Sequence, residues 1–183
     1  MATLIDDFTT GPHAIELNDV NPLDRHVQTG EMLGGSRRTV LGLDVRRNYG
    51  QPLFFGVGGE VSDGEAPGLN LTVPVDAPAT LAIIYGERGG IRVDWARAQS
   101  MLIDVASYTS FLPTTYTVLV MSDDGGRSKW SGSFKAPPEE RMLTLRFSDL
   151  VGESTPANLR RIRQVDFSFS VNGGIRLRSF KVV

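Results

Sequence analysis

Residues 165–171 read Val-Asp-Phe-Ser-Phe-Ser-Val, an uninterrupted alternation of apolar and polar side chains. Successive side chains of a β-strand point to opposite faces, so this pattern predicts a strand with one buried and one solvent-facing side. Residues 116–120 and 143–147 follow the same period of two. The pattern therefore predicts a fold built from strands that pack face to face.

Further strand-like segments recur at short intervals along the chain. They are Thr39–Val45, Leu53–Val57, Leu69–Val73, Thr80–Tyr85, Ile91–Trp95, Met101–Val105, Lys129–Phe134 and Ile175–Val183. Turn signals separate many of them, and Asn172-Gly173 is the strongest hairpin signal because both residues tolerate positive φ. In the last segment the apolar residues change face midway, which predicts a β-bulge near Arg178 or Ser179.

Helical signals are scarce. One short turn is predicted at Thr155–Leu159, with Thr155 as its N-cap and Pro156 at the first helical position. About ten strands with minimal helix predict an all-β sandwich or barrel. Neither an internal repeat nor a linker-like tract divides the chain, so residues 1–183 are predicted to form a single β-sandwich domain.

The composition excludes several classes of function. With no Cys and only two His, thiolate catalysis and Cys-ligated metals are excluded, and a site at His13 and His26 is poorly specified. A net charge of −2 favours neither nucleic acid nor an anionic membrane. The N-terminal residues lack the basic and apolar regions of a signal peptide, and no apolar run is long enough to span a membrane. Recognisable catalytic motifs are missing, so the protein is expected not to be an enzyme and to require no cofactor.

Several short segments together resemble a known group of proteins. Leu4–Gly11 reads Leu-Ile-Asp-Asp-Phe-Thr-Thr-Gly, Met32–Arg37 reads Met-Leu-Gly-Gly-Ser-Arg, and Tyr85-Gly86 is followed by Gly89-Gly90. Bacterial exported proteins, many with sorting tails of the PEP-CTERM kind, resemble the chain in these segments. The likeness continues through residues 102–105, 145–150 and 165–183. It implies an exported or cell-surface location.

The same layout is similar to the Asp-Asp-Phe-Glu type of carbohydrate-binding module of bacterial cellulases and to the complex I intermediate-associated family. Both groups are galactose-binding-like jelly rolls, so the resemblance implies a jelly-roll β-sandwich whose first and last strands lie close together. Thr9 stands where the module pattern has Glu. The module resemblance also implies a possible structural calcium near Asp6 and Asp7, which loop carbonyl oxygens would have to complete. The alternative is that these carboxylates are only the polar start of the first strand.

Aromatic side chains are the first candidate ligand contacts. A ring exposed on a sheet face can stack on the flat, weakly polar face of a sugar. The predicted platform is an exposed pair among Tyr108, Tyr116 and Trp130. For any single one of them the alternative is a place in the sandwich core.

Arginines are the second candidate, because the chain has 16 Arg and only three Lys. Arg176 and Arg178 alternate on one predicted strand and are expected to share a face, while Arg37-Arg38, Arg46-Arg47 and the trio Arg160, Arg161 and Arg163 stand close in sequence. Arg holds carboxylates through a planar fork, which suits an acidic glycan or an acidic partner subunit. Arg-rich codon usage is the alternative.

These observations favour a non-catalytic binding module, with carbohydrate as the expected ligand and Tyr108, Tyr116, Trp130, Arg176 and Arg178 as its contacts. The alternative is a structural or accessory subunit of a larger assembly, bound to its partners through a sheet face and its arginines. Asp123 and Asp124 are expected to cap a glycine-rich turn, because adjacent carboxylates on a strand point apart.

Overall fold

A computed structural model describes residues 2–44, 50–58, 67–74, 77–109, 112–135 and 142–183, with the backbone alone for 107–109. The predicted pair Arg46-Arg47 falls outside these ranges. The described residues form fourteen strands in two antiparallel sheets of seven, which confirms an all-β sandwich. The strands are β1 (Thr3–Asp6), β2 (His13–Leu17), β3 (Leu23–Thr29), β4 (Ser36–Leu43), β5 (Leu53–Val57), β6 (Leu69–Thr72), β7 (Ala79–Tyr85), β8 (Ser100–Thr109), β9 (Thr114–Ser122), β10 (Arg127–Phe134), β11 (Met142–Arg146), β12 (Val151–Gly152), β13 (Ile162–Val171) and β14 (Gly174–Val182).

Sheet A has the order β11-β8-β14-β6-β5-β2, and β1 also pairs with β14. Sheet B has the order β12-β10-β9-β13-β7-β4-β3. Thr3 pairs with Val182, so the first and last strands are neighbours, as the resemblance implied. Short single-turn 3-10 helices at Leu33–Gly35, Phe147–Asp149 and Leu159–Arg161 are the helices among the described residues.

The strand count exceeds the predicted ten because β1, β2, β3 and β12 lack a clear apolar alternation. β12 has two residues and β1 has four. In β3, Gln28 is buried and His26 is half-buried, so polar side chains occupy positions where the pattern expects apolar ones. A period-two search for apolar residues cannot detect such a strand.

β13 contains residues 165–171, whose apolar alternation predicted a strand, and it lies at the centre of sheet B. Val165, Phe167, Phe169 and Val171 are at most 2% exposed, while the polar residues between them face outward. In β14 the register shifts on both sides of Leu177, which confirms the predicted bulge. Arg178 has no partner in the register of β14 with β8, so the alternation that was expected to place it on the face of Arg176 is interrupted at this point. Arg176 is buried and Arg178 is exposed.

Two local predictions are corrected. Ile91–Trp95 is not a strand: it makes a single bridge, Val93 to Ile162, because it lies against the start of β13 and not inside a sheet. The helical turn begins later than expected, since Asn158 and not Thr155 caps it by accepting a hydrogen bond from the Arg160 N–H. Asp124 caps its turn as predicted by accepting from the Gly126 N–H at 3.2 Å.

A fully buried ion pair joins the two sheets. Arg37 of β4 donates to the Asp6 carboxylate of β1 at 2.7 Å, and neither side chain is exposed to solvent. The Tyr85 hydroxyl donates to the same carboxylate oxygen at 2.8 Å. Burying a charge is costly unless it is paired and its remaining lone pairs are satisfied. The Phe8 N–H meets this requirement by donating to the other Asp6 carboxylate oxygen at 2.7 Å.

The other N–H donors of the Arg37 guanidinium also have hydrogen-bond acceptors. Its Nε and Nη2 donate to the Gln28 amide oxygen at 3.0 and 2.7 Å, and Nη2 also donates to the Thr10 carbonyl. The Phe8 ring lies 5.4 Å below the guanidinium carbon. These contacts explain why β3 turns the amide of Gln28 inward: it completes the shell around a buried cation.

Aromatic rings pack around this ion pair. Phe180 of sheet A stacks on Phe167 of sheet B with 3.9 Å between ring centroids. Phe8 meets Phe180 edge to face at 5.0 Å, and Tyr85 meets Phe167 in the same way at 6.0 Å. The polar network therefore sits inside the apolar core, shielded from water.

We expect Arg37→Gln to lower the free energy of unfolding by about 3–5 kcal/mol, because Asp6 would keep a buried charge without its cation. Arg38→Gln is the matched control at the next residue, where the partly exposed ion pair to Glu87 is worth about 0–1 kcal/mol. Urea denaturation measures both values. Equal losses in the two variants would contradict the assigned role of Arg37.

The two histidines meet across the sandwich edge. His13 of β2 and His26 of β3 stack with 3.7 Å between ring centroids, and His13 Nε2 lies 3.2 Å from an Asp24 carboxylate oxygen. Burial lowers the pKa of His26, and the neighbouring charge of His13 lowers the pKa further. Both histidines lie on edge strands of their sheets.

This environment predicts that stability falls as the pH drops below about 6.5, the pKa of an unfolded His. With its pKa lowered in the fold, His26 binds a proton more readily in the unfolded chain, so acid favours unfolding. Denaturation of the protein and of His26→Gln at about pH 7.5 and 5.5 measures the effect. The variant should lose less stability between the two values, and an equal or larger loss would contradict the assignment.

Candidate functional site

The outer face of sheet A carries an open groove of about 450 Å³ across β2, β5 and β6. Its lining is Ala14, Ile15, Glu16, Phe54, Phe55, Gly56, Asn70 and Thr72. The inner residues of these strands fill the core, so the alternate residues are left to form the floor and walls of the groove.

Strand register places the outward residues in two rows. One row runs Glu16, Phe54, Thr72, since Phe54 pairs with Glu16 on one side and with Thr72 on the other. In the adjacent row Gly56 pairs with Asn70, and Asn70 pairs with Arg176 of β14. Aromatic, acidic, hydroxyl and amide groups thus lie on neighbouring strands of one face.

Among the described side chains of this face, Phe54 is an exposed aromatic. It is 51% exposed, whereas the adjacent Phe55 is 3% exposed and faces the core. An apolar ring of this size with half of its surface in water is unusual, because most large aromatics are buried. Phe54 therefore offers a flat surface to a ligand.

Next to this ring the floor of the groove is open at Gly56. A Cβ atom added at Gly56 would meet no atom within 4 Å. The polar groups around this opening differ in kind: Glu16 and Thr72 are exposed, and Asn70 is half-buried. Together they offer a carboxylate acceptor, a hydroxyl, and an amide that both donates and accepts.

Two of the aromatics predicted from the sequence pack inside the sandwich. Trp130 is 5% exposed, its indole N–H donates to the Arg146 carbonyl at 2.7 Å, and its ring meets Phe147 edge to face at 5.1 Å. The structure thus contradicts the expected exposure of Trp130, because β10 turns it toward the core.

Tyr116 is half-buried on the inner side of β9, with its ring 6.3 Å from Phe134 and directly over Gly132. Burial raises the pKa of its hydroxyl. The side chain of Tyr108 lies outside the described residues. Sugar contacts by Tyr108 and Tyr116 stay predictions.

The predicted arginines reach the groove only in part. Arg176 lies next to Asn70 in register and is 8% exposed, so it borders the groove from a buried position. Arg178, at the bulge, is exposed and outside the groove lining.

The two carboxylates of the predicted calcium site are in different environments. Asp6 is engaged by Arg37 and Tyr85 inside the core, while Asp7 accepts from the Thr9 N–H at 3.0 Å and from the Thr9 hydroxyl at 2.6 Å. Over the described ranges, no three His, Asp or Glu residues gather as a metal ligand set. Calcium binding here stays a prediction.

Phe54 is the residue that the sequence reasoning missed. Leu53-Phe54-Phe55-Gly56-Val57 reads as a short buried strand because four of its five residues are apolar. Its period of two is nevertheless informative: if Leu53, Phe55 and Val57 face the core, Phe54 must face away from it. An aromatic out of phase with a core strand was the available signal.

Comparisons with known proteins yield structural likenesses only, because no protein-family model and no curated protein matches the chain. A family 11 carbohydrate-binding module of the cellulosomal cellulase Lic26A-Cel5E of Clostridium thermocellum is 13% identical, with a TM-score of 0.47 over 100% of this chain and 94% of that one. A family 11 module from Clostridium thermocellum in complex with a β-1,3-1,4-mixed-linked tetrasaccharide is 15% identical, with a TM-score of 0.47 over 100% and 95%. The enzymatically active domain of tailspike protein 4 of bacteriophage CBA120 is 12% identical, with a TM-score of 0.38 over 96% of this chain and 20% of that one.

Carbohydrate-binding modules of bacterial cellulases, one of the resemblances drawn from the sequence, are thus among the similar structures. Nothing in the comparisons supports the exported PEP-CTERM group or the complex I intermediate-associated family. Identities and TM-scores this low do not indicate a function. The assignment of the fold as a β-sandwich is based on the two observed sheets. No helix in the described parts of the chain has the length and hydropathy to cross a membrane.

We expect Gly56→Ala to raise the free energy of unfolding by about 0.5–1 kcal/mol, because glycine weakens a strand and the new methyl group meets open space. Gly126→Ala is the control, since its methyl group would overlap the Pro156 carbonyl oxygen and must destabilise the fold. Urea denaturation distinguishes them. A loss of stability at Gly56 would mean that the groove floor is closed.

Proposed function

We propose that this protein is a non-catalytic carbohydrate-binding module that holds a glycan in the groove on sheet A. The observation that carries the proposal is the half-exposed Phe54 ring beside the open floor at Gly56, bordered by Glu16, Asn70 and Thr72. A sugar ring has an apolar C–H face that stacks on an aromatic ring and a rim of hydroxyls that need hydrogen-bond partners. The groove offers both kinds of contact within one ligand-sized concavity.

The polar lining favours binding over hydrolysis. Glycosidases cleave with a pair of carboxylates about 5–10 Å apart. Among the described residues that line this groove, Glu16 is the sole carboxylate. Glu16, Asn70 and Thr72 therefore serve in this proposal as hydrogen-bond partners of sugar hydroxyls.

Protein docking is the competing use of an exposed Phe. The other large exposed apolar side chains among the described residues are spread over both sheets and their connections: Leu4, Val20, Leu23, Leu112, Val151 and Val183. Single exposed apolar side chains of this kind are ordinary on protein surfaces. Phe54 differs from them because it lines a groove with polar groups of several kinds.

Phe54→Ala should weaken binding to the best ligand found on a glycan array at least tenfold, or about 1.4 kcal/mol, because the stacking surface is lost. Leu23→Ala is the matched control: it removes an apolar side chain of similar exposure, 52%, from the outer face of sheet B. Isothermal titration calorimetry measures both affinities. Unchanged affinity in Phe54→Ala would refute the proposed site.

A second variant tests the groove without removing the ring. Gly56→Leu should fill the open floor and abolish glycan binding while urea denaturation shows an intact fold. Light scattering of the same samples tests the accessory-subunit alternative. Self-association that depends on Phe54, with no glycan hit on the array, would replace the proposal with a protein-docking function.

A further inference from the structure

A second concavity lies on sheet B, at the end where β7 leaves the sheet and β13 begins. It has a volume of about 290 Å³ and is lined by residues 86–90 together with Arg92, Asp123, Arg163 and Gln164. We call it the arginine pocket. It belongs to the sheet opposite to the groove of Phe54 and shares no lining residue with that groove.

The pocket is held open by backbone contacts. The Ile91 N–H donates to the Arg163 carbonyl at 2.9 Å, and the Gly90 N–H donates to the Gly86 carbonyl at 2.9 Å. Gly86 packs so closely on the Arg163 carbonyl that a Cβ atom would overlap it. The wall formed by residues 86–92 is therefore fixed against β13 before any ligand arrives, which lowers the entropic cost of binding.

Arg92 is in an uncommon conformation. Its φ is +49°, in the left-handed region that non-glycine residues seldom occupy. Such residues are concentrated at ligand sites, where the surrounding structure holds them in place. Here the hydrogen bonds on both sides, from Ile91 to Arg163 and between Val93 and Ile162, hold Arg92 at the pocket.

Positive charge dominates the lining. Arg88, Arg92 and Arg163 are exposed, and over the described ranges none of the three forms an ion pair or a side-chain hydrogen bond. Of the two acidic residues in the lining, Glu87 is engaged by Arg38 from outside the pocket, which leaves Asp123. Three cations against one uncompensated carboxylate favour an anionic ligand.

The remaining polar groups narrow the class of anion. A bare oxyanion has no donor to offer the Asp123 carboxylate, which would repel it. An acidic sugar combines one carboxylate for the arginine forks with several hydroxyl donors for Asp123. Gln164 also lines the pocket, and its amide N–H donates to Asp166 at 2.9 Å, which restrains the side chain.

We propose that the arginine pocket binds an acidic sugar unit, with the carboxylate of a uronic acid held by Arg88, Arg92 and Arg163 and its hydroxyls held by Asp123 and Gln164. The volume suits one monosaccharide unit. The protein would then carry two glycan sites of different charge preference on its opposite sheets.

A titration followed by amide NMR signals tests the ligand class, with galacturonate, galactose and acetate as separate probes at constant ionic strength. Galacturonate should shift the signals of residues 86–92 and 163–164 saturably, and galactose and acetate should each bind at least tenfold more weakly. Equal binding of galactose would refute recognition of the charge. Equal binding of acetate would refute recognition of the sugar, and no saturable shift with galacturonate would refute the site.

Arg163→Gln and Arg88→Gln should each weaken galacturonate binding about tenfold, and the spectrum itself reports whether the variants fold. Arg160→Gln is the matched control, an exposed arginine three residues from Arg163 and outside the pocket lining. If Arg160→Gln and Arg163→Gln weakened galacturonate binding equally, the effect would come from the net charge of the protein and not from the pocket, and the site would be refuted. Phe54→Ala should leave galacturonate binding unchanged, which separates a failure of this proposal from a failure of the groove.

Discussion

Asp6 carries a negative charge into the interior of this sandwich, and the fold can tolerate it only because Arg37, Tyr85 and the Phe8 backbone reach it from three directions. The partners are far apart in sequence, Arg37 by 31 residues and Tyr85 by 79, so they meet only when both sheets are in place. Removing one member leaves a buried group unsatisfied, which is far more costly than losing a surface ion pair. The network therefore fixes how the two sheets face each other.

The same network gives the short sequence segments of the resemblance a physical reason. The Ile-Asp-Asp-Phe segment supplies Asp6 and the turn at Phe8, whose φ is +58° and whose N–H binds the Asp6 carboxylate. The Leu-Gly-Gly-Ser-Arg segment supplies Arg37, and the Tyr-Gly segment supplies Tyr85. In this structure the carboxylate of Asp6 is part of the joint between the sheets, while Asp7 faces Thr9. Segments that look unrelated along the chain thus meet at one buried charge.

Once the sheets are fixed, their outer faces become available for binding. Sheet A presents Phe54 and several kinds of polar group around the open floor at Gly56. Sheet B presents arginines around the turn of residues 86–92, which is hydrogen-bonded to β13. Neither concavity is lined by the buried charges, because Asp6 and Arg37 satisfy each other inside the core. The buried polar side chains specify how the sheets pack, and the polar side chains on the outer faces offer contacts to ligands.

The class of fold and much of the strand content follow from local patterns in the amino-acid sequence, because the apolar alternation of segments such as residues 165–171 is a property that a strand satisfies in only one way. The alternation also locates the bulge near Arg178, where it changes face. The strand β3 could not be predicted from an apolar pattern, because its inward residues are polar and one of them, Gln28, accepts hydrogen bonds from the buried Arg37. The burial of Trp130 was not predictable either, and the outward direction of Phe54 follows only once Leu53, Phe55 and Val57 are known to face the core. Those outcomes depend on which face of each strand meets the other sheet, and contacts between residues far apart in the chain set that choice.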